Sequence, residues 1–127
     1  MAVKVIDASA VAAFLFDEPE ADIIAQRIAG ARLVAPTLLG FELANVCLIK
    51  GRRHPDKRPA LLRSFGLRHR LGIQELTVDY DASLALALAT GLTVYDASYL
   101  WLSQELKAEL ITLDRQLAAA ITQAAKD

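Results

Sequence analysis

Four short apolar runs, separated by helical patterns, constrain this chain more than any other feature. The first is VKVI at residues 3–6 and the second LVA at 33–35. The third lies within 73–78 and the fourth is LITL at 110–113. Runs this short and this rich in Val, Ile and Leu suit strands buried on both faces. The stretches between them read as helix. Helices are expected at 9–16, from the DEPEAD segment to 29, from 36 or 37 to 50, and at 60–70. Further helices are expected from 79 or 81 to 90, at 96–107 and at 114–125, with a short extended link at 92–95. Pro19 reads as a first-turn residue of the second helix, and Gly30, Gly51 and Gly91 stand where helices should stop. Parallel neighbours need long crossovers, which helices supply. The alternation therefore implies an α/β fold with a parallel sheet, in one domain over residues 1–127.

Composition narrows the class. Hydrophobic residues make up 54% of the chain, which argues against disorder. The net charge of −1 points to neither a nucleic acid nor a membrane surface, so local charge must be read instead. Cys47 is the single cysteine, which excludes an internal disulfide and fits a reducing cytoplasm. The start of the chain has no basic segment leading into a long apolar one, and no apolar run approaches the roughly 20 residues of a membrane span.

Of the fifteen acids, four sit where ordinary explanations are weakest. Asp7 follows the first strand and Asp114 follows the fourth. In open parallel sheets the carboxyl ends of strands line the ligand crevice, although each acid could equally cap the helix after it. Glu42 interrupts the apolar stripe Leu38, Leu39, Val46 and Ile49, and no basic residue lies within four positions of it. A carboxylate is rarely buried without a partner. Asn45, one turn along, could hydrogen-bond it. Asp96 starts a helix, with Ser98 two residues on. Converging on one edge, such acids would repel one another, by roughly 4 kcal/mol for a pair about 4 Å apart at an effective dielectric of about 20. A divalent cation removes that cost, and an all-oxygen donor set suits Mg²⁺ or Mn²⁺.

The segment after the third helix carries the opposite charge. Eight of the fourteen basic residues fall between positions 50 and 70, where Asp56 is the one acid. Arg52, Arg53, Lys57 and Arg58 are the candidate phosphate contacts, since a carboxylate site repels a nucleic-acid backbone unless positive charge lies nearby. His54 and His69 read as surface residues, Cys47 as packing, and Tyr99 and Trp101 as core or subunit-contact residues.

The motifs VIDASA, FELANV, TVYDASYLWLSQ and LITLDRQLA resemble, in order and spacing, the four acidic motifs of PIN-domain ribonucleases. The chain length and the DEPEAD segment are most similar to the VapC toxins of toxin–antitoxin pairs. The resemblance covers nearly the whole chain. It implies a three-layer α/β/α sandwich around a parallel sheet of four or five strands. A final edge strand after the last helix is usual in the family, and QAAKD does not supply one. The resemblance assigns Asp7, Glu42, Asp96 and Asp114 as metal-binding catalytic acids, with Ser9 and Thr112 as polar neighbours. It further implies Mg²⁺ or Mn²⁺ as cofactor, an RNA substrate, a VapB-like antitoxin and a homodimer. The implied chemistry is attack of a metal-activated water on an RNA phosphodiester. V-x-D-A-S occurs at 5–9 and again at 94–98 without matching flanks, so the echo is expected to deliver two acids to one cation and not to mark a duplication. Two other classes compete. A silent PIN-like binding module would not need all four acids. A receiver-like phospho-acceptor domain would pair acids near the amino terminus, where Asp7 has none before Asp17.

Overall fold

Val5 and Ile6 carry no side-chain polar atom and prefer extended backbone, and both are fully buried in the strand β1 (Val3–Ile6). The computed structural model describes residues 1–126, with side chains to residue 124. After β1 come α1 (Ala8–Leu15), α2 (Ala21–Ile28), β2 (Arg32–Pro36), α3 (Leu39–Arg53) and α4 (Arg58–Gly66). Then follow β3 (Gln74–Leu76), α5 (Tyr80–Thr90), α6 (Val94–Leu106), β4 (Glu109–Ile111) and α7 (Arg115–Lys126). The strands form one four-stranded sheet in the order β3-β2-β1-β4, with every pair parallel. Val5 is the hub of the register, opposite Val34 of β2 and Leu110 of β4.

Strand order sets the layers. The chain steps from β1 to β2 to β3 in one direction, then returns across the sheet to β4. Right-handed crossovers put the helices of these two journeys on opposite faces. α1 packs against α2 and α3, and α3 against α4. α6 packs over β1, β2 and β4, with α5 and α7 beside it. Ile24 of α2 and Leu117 of α7 are both 0% exposed, anchoring a helix on each side. Burying such a side chain contributes about 1.5–3 kcal/mol.

The α/β/α architecture and the short parallel sheet agree with the expectation, while several element boundaries differ. Residues 92–95 are not an extended link: α6 begins at Val94, where the Thr93 hydroxyl accepts from the Asp96 N–H at 3.1 Å. Gly91 closes α5 with φ +78° and lets the chain reverse directly into that helix. α3 starts at Leu39, beyond the expected 36 or 37, and runs through Gly51 to Arg53. There the Arg58 side chain lies over Gly51 and donates to its carbonyl at 3.1 Å. The helix expected at 60–70 is α4 followed by a 3₁₀ turn, Arg68–Leu71. Pro19 lies in the turn before α2. On α3 the buried stripe is Leu39, Leu43 and Cys47, whereas Ile49 is 43% exposed. Glu42 therefore flanks the core stripe and does not sit in its middle.

Candidate functional site

β1 and β4 are adjacent although the chain visits them first and last, which makes their carboxyl ends the switch point of the sheet. Asp7 continues β1 by one residue, donating its N–H to the Ile111 carbonyl at 3.1 Å. Its side chain then caps α1 by accepting from the Ala10 N–H at 3.1 Å. Asp114 follows β4 and accepts from the Leu117 N–H at 2.9 Å, capping α7 in the same way. Glu42 and Asp96 stand in the first turns of α3 and α6. Each of the four acids thus occupies a helix amino terminus. The partial positive charge of a helix end favours a nearby carboxylate by about 0.3–1 kcal/mol.

Asp7 is only 4% exposed, and both of its oxygens are held. Oδ1 accepts from the Ser9 hydroxyl at 2.7 Å, and Oδ2 accepts from the Thr112 hydroxyl. Ser9 Oγ in turn accepts from the Leu113 N–H, and Thr112 Oγ1 from the Asp114 N–H, each at 2.9 Å. Two hydroxyls therefore tie the β1–α1 junction to the β4–α7 junction. Across the site, the Tyr99 hydroxyl of α6 donates to Glu42 Oε1 of α3 at 2.7 Å. Tyr99 is 1% exposed and lies one helical turn after Asp96.

The electrostatics match this burial. Desolvation pushes Asp7 above the ordinary carboxylate range, and the Asp114 charge adds to that push. Hydrogen bonds from Thr112, Ser9 and Ala10 pull the other way without cancelling it. Glu42 is raised by burial and by the Asp96 and Asp7 charges, against the opposing Tyr99 hydrogen bond. Asp96 is raised by burial and by Asp114 and Asp7. Burial, then Glu42, pushes the Tyr99 phenol far above the ordinary tyrosine range, so it is a donor. The ion pairs among the described residues lie elsewhere, at Lys4–Glu109, Arg27–Glu109 and Lys50–Glu18. None involves the four acids.

Among the described residues no group of three or more His, Cys, Asp or Glu side chains is arranged so that together they could hold a metal ion. Mg²⁺ does not require one, because it is usually held by one or two carboxylates with waters and substrate oxygens filling the rest. One buried and two half-buried carboxylates with raised pKa values, no described cation beside them and only oxygen donors are a set that fits such an ion.

The structure treats the other expected residues differently. Ser9 and Thr112 both touch Asp7. Asn45 is exposed and makes no hydrogen bond to Glu42, because the turn of α3 carries it towards solvent while Tyr99 reaches Glu42 from α6. Ser98 is buried and donates to the Tyr95 carbonyl at 2.6 Å, which satisfies its own helix and no acid. Sequence reasoning missed the site contact of Tyr99. The available signal was its position three residues after Asp96, hence on the same helix face. Among the basic residues, Lys50 is paired with Glu18 at 2.6 Å, Arg58 is bonded to Gly51, and Arg68 stacks 4.0 Å above the Phe65 ring. Arg52, Arg53 and Lys57 are exposed.

Comparison with known proteins adds independent findings. The family model described as PIN domain matches residues 4–121. Ribonuclease VapC3 of Pyrobaculum aerophilum is 33% identical over 119 residues, which span 90% of this chain and 91% of that protein. The crystal structure of PAE2754 from Pyrobaculum aerophilum superposes with a TM-score of 0.74 at 27% identity, covering 94% of this chain and 87% of that one. VapC20 of Mycobacterium tuberculosis, a sarcin-ricin loop cleaving toxin, superposes with a TM-score of 0.66 over 92% of this chain and 94% of its own. Its identity of 13% makes that a likeness of fold alone.

Proposed function

On the premise that this chain belongs to the PIN domain family, we propose that it is a Mg²⁺- or Mn²⁺-dependent endoribonuclease, the toxin of a VapBC-type pair. The observation that carries this reading is the set of four helix-terminal carboxylates, three of them raised in pKa, with no cation among the described residues paired to any. The likeness to a VapC ribonuclease across nine-tenths of both chains supports the same reading.

Asp7, Glu42, Asp96 and Asp114 would hold the cation. Bound there, it would lower the pKa of water and offset charge on the phosphoryl oxygens. Ser9 and Thr112 hold both oxygens of Asp7 before substrate arrives, so its orientation costs little at the moment of reaction. Arg52, Arg53 and Lys57 offer exposed positive charge to the RNA backbone, with Arg58 anchoring their segment to α3. Cleavage would leave 5′-phosphate and 3′-hydroxyl ends. A VapB-like antitoxin is the proposed protein partner, and the cytoplasm the proposed location. No helix among the described residues is long and apolar enough to cross a membrane. A homodimer is supported by the stripe Tyr80, Leu84 and Leu88 on α5, of which Leu88 is 80% exposed.

The test is cleavage of a panel of structured RNAs by wild type and Asp7→Asn, with Mg²⁺, Mn²⁺ or EDTA. Wild type should cut with either cation. EDTA or the substitution should each reduce the rate at least about 100-fold, because metal catalysis is worth several kcal/mol and each 1.4 kcal/mol is tenfold. Cleavage that persists in EDTA or in Asp7→Asn would sink the proposal.

A further inference from the structure

Glu42 is the one acid of the four whose carboxylate is gripped by a side chain from a different helix. The hydroxyl of its partner Tyr99 makes no other hydrogen bond among the described residues, and Tyr99 is almost wholly buried, so the phenol cannot turn to water instead. The same helix face carries Asp96 one turn earlier. α6 thus supplies one acid directly and restrains a second acid on α3. A free glutamate on a helix surface explores several rotamers, and fixing it in one costs side-chain entropy. The tyrosine settles that rotamer during folding, before any ligand arrives.

We propose that Tyr99 is a positioning residue: its hydroxyl occupies Glu42 Oε1, leaving the second carboxylate oxygen of Glu42 for the divalent cation. This inference rests on the reading of the four acids as a cation site and adds to it a residue that touches neither cation nor RNA. Partners of this kind, which orient a ligating carboxylate from behind, typically change metal affinity by about 10- to 100-fold.

The experiment is Mn²⁺ binding to the RNA-free full chain by isothermal titration calorimetry. Wild type, Tyr99→Phe, Glu42→Gln and the double variant are compared, with melting in EDTA as the measure of folding. Tyr99→Phe keeps the ring and should lose about tenfold in Mn²⁺ affinity. In the Glu42→Gln background the same change should cost less than about twofold, since the charge it positions is already gone. An unchanged affinity in folded Tyr99→Phe overturns the inference. So does an equal loss in both backgrounds, which would mark a general packing role. If Tyr99→Phe does not fold, the ¹³Cζ resonance of Tyr99 in the wild type decides. It should move on saturation with Mg²⁺, and a resonance that stays in place overturns the inference. A wild type that binds Mn²⁺ while Tyr99→Phe binds it equally well leaves the cation site standing and removes Tyr99 from it. A wild type that binds no Mn²⁺ removes both.

Discussion

At the amino-terminal end of β1 and β4, Glu109 lies between two cations, 3.0 Å from Arg27 and 3.5 Å from Lys4. At the carboxyl-terminal end of the same two strands, Asp7 and Asp114 meet no cation among the described residues. The Arg27 hydrogen bond, helped by Lys4, pulls Glu109 below the ordinary carboxylate range. Burial and neighbouring acids push Asp7 above it. The fold has lysine and arginine available and places them at one end of the strand pair, while the other end is stabilised by hydroxyls, amides and helix termini. Hydrogen bonds keep a buried carboxylate tolerable without neutralising it. The proposed cation would act at this end, where no basic side chain among the described residues competes for the carboxylates.

The contrast between the two ends can be broken most severely at Asp96. Asp96→Asn should reduce RNA cleavage at least about 100-fold, since it removes one of the acids proposed to hold the cation, whose assistance would be worth several kcal/mol. The metal-free protein should nonetheless melt no lower than wild type, because a source of repulsion against Asp7 is gone. A clear loss of metal-free stability would show that Asp96 is a structural acid like Glu109.

Thr112→Val should act on both scales. It takes a donor from Asp7 Oδ2 and an acceptor from the Asp114 N–H. Leaving buried groups unpaired costs about 1–3 kcal/mol each. Chemical denaturation should register that loss, with activity lowered about tenfold as Asp7 loses its fixed orientation.

The pH response should have opposite signs at the two ends. Asp7, Glu42 and Asp96 have folded-state values raised above their unfolded ones, so the folded protein holds more protons. Their contribution is most favourable below the ordinary values of about 4 and is lost as pH rises through the raised ones. Melting curves in EDTA should show that decline, and saturating Mg²⁺ should flatten it. A decline unchanged by Mg²⁺ would mean that the cation does not bind these groups. Glu109 is lowered, so its stabilisation is present above its ordinary value and fades as pH falls.

The smallest effect is expected at Glu109 itself. Its side chain is 50% exposed, and pairs of that kind contribute about 0.2–1 kcal/mol. Glu109→Gln should shift stability by no more than that and leave cleavage within about twofold. A larger loss of activity would mean that the two ends of the strand pair are coupled.

Much of this is legible in the amino-acid order alone. The four strands, the parallel sheet and the positions of Asp7 and Asp114 at strand ends follow from local patterns, because a buried run and the polar residue that ends it are adjacent in sequence. The four acids are legible for a related reason: a carboxylate beside an apolar stripe or strand is anomalous wherever the chain later goes. Asn45 and Tyr99 show where that legibility stops. Sequence spacing offers Glu42 a neighbour on its own helix, and the hydrogen bond instead crosses between α3 and α6 over a separation of 57 residues.

By itself, then, the sequence determined which stretches become strands and helices, to within a few residues, and which acids stand at strand ends and helix starts, since both depend on neighbours within a turn or a pleat. Only the tertiary structure decided that β4 returns to lie beside β1, that Ser9 and Thr112 meet on one carboxylate, and that Tyr99 holds Glu42. Those contacts join residues far apart in the chain. Their geometry is set by strand order and helix packing, to which no short stretch of sequence has access.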